Sequence, residues 1–248
     1  MQTMLPLALW LLAATPAPMD VDVYVPLCDS ALIACGPGAA GDPESLDGNL
    51  YWGAKYGAER YLSRAPGFAV VRKTDKPFAA QPWVLRSVEL VRRGQHRGEG
   101  EIRVRLLGYS GKHIDQALAD FLGAASGASP AAVVVWAGHD RLMDVAAPPV
   151  ARGEGKPVVV LACTSERYFG PALKAGGAWA RAVAVAGGAG AGVRALSADL
   201  ACGRALRLRR GPRSVGWCGP LGEAGRAPAR EGSPALRGAQ LTPGFKCS

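Results

Sequence analysis

The chain is poor in histidine and lacks the cysteine spacing of common metal sites. Its three histidines, His96, His113 and His139, stand far apart, which argues against a His-rich metal centre. Its six cysteines, Cys28, Cys35, Cys163, Cys202, Cys218 and Cys247, include no C-x-x-C pair, so neither a zinc ribbon nor a thioredoxin-like motif is expected. No metal and no other cofactor is implied. Basic surface is scarce as well. The net charge is +9, but from Gly203 onward nine Lys or Arg face only Glu223 and Glu231; that +7 taken from the total leaves +2 for residues 1–202. With no basic stripe interleaved with aromatics, nucleic acid is not an expected partner. Long apolar runs are missing too: the longest, Met4 to Ala14, is too short to cross a bilayer comfortably.

What is present is ample apolar material for a core, 49% of the residues. The N-terminal run has the length of a signal-peptide core and is followed by small residues and prolines. A signal peptide over 1–18 is therefore expected, with export to the periplasm or exterior. An uncleaved anchor or a mis-assigned start leaves the chain cytoplasmic instead. Export would permit disulfides such as Cys28 with Cys35 or Cys202 with Cys218. At the other end, Gly211 to Ser248 holds thirteen Gly or Pro, and residues 208–248 read as a flexible tail.

Between these ends lies an α/β pattern over 19–207. The runs Ala132 to Trp136 and Pro157 to Leu161 are apolar without alternation, as parallel strands buried on both faces are. Val21 to Val25 reads as the first strand and Phe68 to Val71 as a short second one. A helix is expected over Asn49 to Ser63, capped by Asp47. A second is expected from Ser110 or Gly111, with Ile114, Ala117, Leu118, Phe121 and Leu122 as its apolar stripe. Residues 84–106 read as an inserted, peripheral hairpin whose tip, Arg92 to Gly100, is charged and glycine-rich. A helix over Tyr168 to Gly176, a strand over Ala180 to Ala186 and a helix over Val193 to Leu206 complete a three-layer sandwich with a mostly parallel central sheet. The run Gly187 to Gly192 lacks the Gly-Lys-Ser/Thr ending of a phosphate loop and the spacing of a dinucleotide fingerprint. It reads as a flexible loop, with a nucleotide site as the alternative. Trp136 and Trp179 read as core, and His96 and His113 as solvated.

The two apolar runs end in residues that can do chemistry, His139 and Cys163. Reactive groups collect at the carboxyl ends of parallel strands, and an imidazole beside a thiol can hold it as a nucleophilic thiolate. Amides around Gly138, Asp140 and Cys163 are candidates for an oxyanion site, and Gly138 would let a substrate backbone come close. Asp29, Asp140, Asp144, Ser165 and Glu166 lie where a substrate pocket would form.

Ser110 to Phe169, with its helix, its strand ending in Gly138-His139, its loop and its strand ending in Ala162-Cys163-Thr164-Ser165, resembles the core of the caspase-like cysteine peptidases, the group of caspases, metacaspases, legumain, clostripain and gingipain. The resemblance implies His139 as general base, Cys163 as nucleophile and a protein or peptide as substrate. Asp140 stands where the family usually has glycine, and Leu161 where it usually has a polar residue. A catalytically inactive relative that binds a partner, for example through the hairpin, is the alternative.

Overall fold

The computed structural model describes residues 17–94 and 100–181, with backbone alone at 179–181. The leader, the hairpin tip with His96, the glycine run, the helix over Val193 to Leu206, the tail and Cys202, Cys218 and Cys247 lie outside the described residues.

Seven strands make one sheet: β1 (Met19–Pro26), β2 (Phe68–Asp75), β3 (Val84–Arg92), β4 (Ile102–Tyr109), β5 (Val133–Ala137), β6 (Pro157–Leu161) and β7 (Trp179–Arg181), in the order β2-β3-β4-β1-β5-β6-β7. Strands β4, β1, β5, β6 and β7 pair in parallel, whereas β2 with β3 and β3 with β4 pair antiparallel. The sheet is therefore mixed, which corrects the expectation of a mostly parallel one. The reason is connection length: residues 76–83 link β2 to β3, fewer than the dozen or so that a parallel crossover needs.

The hairpin is likewise no peripheral insertion. Its second arm, β4, lies inside the sheet and pairs along its length with β1, from Met19 opposite Ile102 to Pro26 opposite Tyr109. Arginines on its arms suggested an exposed ribbon, but Asp22 neutralises Arg105, with Nε to Oδ1 at 2.9 Å and Nη2 to Oδ2 at 2.6 Å. Val84, Val88, Leu90, Val104 and Leu106 are buried.

The side-chain alternation of the strands feeds two cores. Val21, Val23, Val25, Val133, Val135 and Leu161 face one; Tyr24, Val134, Trp136, Val158 and Val160 face the other. Helices α2 (Ile114–Gly123) and α3 (Ser165–Ala175) cover the second core. All five residues of the expected α2 stripe are buried. The opposite core is closed by α1 (Ala58–Leu62) and by turns carrying Tyr51 and Trp52.

The long helix expected over Asn49 to Ser63 is thus reduced to five residues. Asn49 is fully buried and does different work. Its Oδ1 accepts from the amides of Cys28 at 2.8 Å and Tyr51 at 3.0 Å, and its Nδ2 donates to the carbonyls of Cys28 at 2.8 Å and Asp42 at 2.9 Å. Asp47 caps no helix. Trp52 packs flat enough on β4 that a Cβ at Gly108 would lie 3.0 Å from its ring. His113, expected in solvent, is half-buried and stacks on Trp83 with ring centroids 6.1 Å apart.

Candidate active site

Because β4, β1, β5 and β6 are parallel, their carboxyl ends share one edge. Ala137 is the register partner of Leu161. His139 and Cys163 each follow two residues later, so they leave neighbouring strands at equal height, where parallel chains are about 4.8 Å apart. Thr164 then adopts a left-handed conformation (φ 51°), which turns the chain sharply from β6 into α3. Leu161, two residues before Cys163, is a core residue, 3% exposed.

His139 is held from two sides. Its carbonyl accepts from Trp136 Nε1 at 3.0 Å, tying the loop to the core aromatic beneath it. Its Nε2 meets Asp144 Oδ2 at 2.6 Å. Arg141 reaches the same oxygen with Nη1 at 3.5 Å and clasps Asp115, in the first turn of α2, through Nε at 2.7 Å and Nη2 at 3.2 Å. The Arg141 guanidinium, by its hydrogen bonds, holds the Asp115 carboxyl below its ordinary value. The chain Asp115, Arg141, Asp144, His139 therefore ties the imidazole to α2 through Nε2. Asp144, one of the residues expected at a substrate pocket, is thus a partner of the imidazole.

The other expected site residues fall differently. The Gly138 amide donates to the Leu161 carbonyl at 3.3 Å, so it is spent on the sheet and not free for an oxyanion. A Cβ at Gly138 would lie 2.9 Å from Pro26 Cγ, so this glycine packs closely against the end of β1. Asp140 is 0% exposed and points inward. Burial pushes its carboxyl up to about 7, the Asp144 charge adds to the rise, and the nearby amides of Leu142 and Met143 oppose it. Those amides approach the carboxylate without closing a hydrogen bond, and both oxygens stay unpartnered. Ser165 is fully buried with its Oγ unpartnered. Asp29 accepts from the Ala31 amide at 2.9 Å, shaping the turn after β1, and Glu166 is exposed in the first turn of α3. Neither is brought against His139 by any contact.

The three cysteines among the described residues are in disulfides. Cys28 and Cys35 form a disulfide, one of the pairings expected for an exported chain, with Cα atoms 6.0 Å apart. Cys163 is likewise disulfide-bonded. Among the described residues no group of three or more His, Cys, Asp or Glu is arranged to hold a metal ion, and no helix is long and apolar enough to cross a membrane.

Fold and edge define an α/β protein with a histidine and a cysteine at adjoining strand ends. No family model, no curated protein and no solved structure matches the chain.

Proposed function

We propose that the chain is a cysteine-dependent hydrolase, an endopeptidase of caspase-like architecture, that cleaves a protein or peptide substrate with Cys163 and His139. The observation that supports this reading best is the equal height of the two residues past the paired ends of β5 and β6, with Nε2 of the imidazole occupied by Asp144. In the reaction, Cys163 Sγ attacks the scissile carbonyl carbon and His139 Nδ1 takes the thiol proton. The proton passes to the leaving nitrogen as the C–N bond breaks, giving a free amine and a thioester. Water then attacks the thioester through the same imidazole and releases the acid and the thiol. Asp144 acts as a positioning residue that orients the ring and balances the imidazolium, the role a third group plays behind a base.

A sulfur in a disulfide is not a nucleophile, so the active form requires a thiol reductant to convert the Cys163 disulfide into two thiols. The N-terminal apolar run and the Cys28–Cys35 disulfide support an exported location. The test is labelling of the full chain with a peptidyl acylating probe for thiols, with and without dithiothreitol. Labelling should require reductant and be lost in both Cys163→Ala and His139→Ala. Labelling that persists in His139→Ala would refute the dyad.

The Cys163 disulfide favours a second reading, a catalytically inactive caspase-like module that binds a partner protein. Absence of labelling in reductant, with partner capture unchanged in Cys163→Ala, would establish it in place of the first.

A further inference from the structure

A cleft of about 360 Å³ lies on the α2 side of the sheet, away from His139 and Cys163. Its walls include Tyr24 of β1, Arg105 and Tyr109 of β4, Asp120 of α2 and Phe78 and Gln81 of the β2–β3 connection. Three features of its polar groups matter. Arg105 is neutralised, since Asp22 takes its Nε and Nη2 and also accepts from Ser129 Oγ at 2.8 Å. Asp120 has no cationic partner among the described residues: Tyr109 Oη donates to its Oδ2 at 3.0 Å and Gln81 Nε2 at 3.2 Å, both to one oxygen, and the Trp83 indole N–H approaches the carboxylate as a third neutral donor. Tyr24 is 5% exposed and its hydroxyl donates to no group among the described residues, although it opens on the cleft. Burial raises both the Asp120 carboxyl and the Tyr24 hydroxyl above their ordinary values, as expected of acids that lack a nearby unpaired cation.

We propose that this cleft is a second binding site, for a small organic ammonium ion, with Asp120 Oδ1 accepting from the ammonium, the Tyr24 hydroxyl completing its hydrogen bonds and the Tyr24, Tyr109 and Phe78 rings packing around its carbon skeleton. The cleft lies at the small end of ligand-binding sites. An ammonium group supplies what the site lacks, a positive donor for a carboxylate met only by neutral ones, and aromatic walls favour such a cation over a neutral ligand of the same shape. The ring pair Tyr24 and Tyr109, with centroids 6.1 Å apart, gives one wall a fixed form.

The experiment is calorimetric titration of the full chain with benzylamine and with n-butylamine, using benzyl alcohol as the neutral match for the first. At least one amine should bind saturably at one site, and benzyl alcohol should bind at least about tenfold more weakly than benzylamine. Asp120→Asn keeps an acceptor for Tyr109 and Gln81 and should weaken the amine by about tenfold or more; Tyr24→Phe, which removes only the hydroxyl and leaves the ring, should weaken it about two- to tenfold. Should Asp120→Asn fail to fold, Tyr24→Phe and the alcohol comparison decide. Equal binding of amine and alcohol, amine affinity unchanged in both variants, or no saturable binding of either amine overturns the proposal. Neither outcome depends on the Cys163 chemistry.

Discussion

Asp140 offers the most direct test of the electrostatics at the carboxyl edge. It is fully buried with both carboxylate oxygens unpartnered, and its carboxyl is held at about 7 against an ordinary 3.8. Below about pH 4 the folded and unfolded chains both carry the proton, and the residue imposes no penalty. As the pH rises, the unfolded chain releases the proton near 3.8 while the folded chain keeps it until about 7, so stability falls by about 1.4 kcal/mol per pH unit across that window. The loss is complete above pH 7 and totals roughly 4 kcal/mol. Asp140→Asn has nearly the same shape and no proton to lose. Its stability relative to the parent, from urea denaturation, should be near zero or slightly negative at pH 4 and should rise by about 2–4 kcal/mol by pH 8. Taking the difference between the two proteins cancels the titrating groups that do not interact with Asp140, which leaves Asp144 as the coupled neighbour. A difference that does not change between the two pH values, or a variant less stable at pH 8, would refute the reasoning.

Two further outcomes follow from buried hydrogen-bonded groups. Asn49→Ala removes four hydrogen bonds at the end of β1 and leaves the Cys28 amide and carbonyl without their partner, so denaturation should show a loss of about 3 kcal/mol. Asp22→Asn uncouples Arg105 and should cost about 3 kcal/mol at pH 7 in urea denaturation, at the low end for a buried pair because Arg105 is partly in water.

The runs Ala132 to Trp136 and Pro157 to Leu161 were legible because burial on both faces removes alternation, and the α2 stripe because its other face meets water. From these two facts the positions of His139 and Cys163 at strand ends followed. The segment over Asn49 to Ser63 misled because small residues at helical spacing also suit tight turns. Gly53 sits where a Cβ would lie 2.1 Å from the Leu46 carbonyl oxygen, a turn geometry that spacing does not reveal. The hairpin misled because arginine on a strand signals solvent unless a carboxylate from another strand covers it, and Asp22 is 83 residues from Arg105. For the same reason Asp115 and Arg141 were not foreseen: their link to Asp144 and His139 joins α2 to the loop after β5 only once both pack on one sheet face. The inward turn of Asp140 and Ser165 is likewise set by tertiary packing, to which their neighbours in sequence give no clue.

The place of β4 beside β1 bears on how the chain tolerates change. An arm on the rim of a sheet can be shortened or exchanged with little harm, whereas here excision of residues 84–106 would split the sheet and strip β1 of its neighbour along its whole length. β3 ends at Arg92 and β4 begins at Ile102, so the turn between them opens from the amino edge of the parallel strands, a strand length of about 26 Å from the edge that carries His139. A tag, a spectroscopic label or a grafted epitope placed in that turn would report on the whole domain while leaving the histidine and cysteine edge untouched.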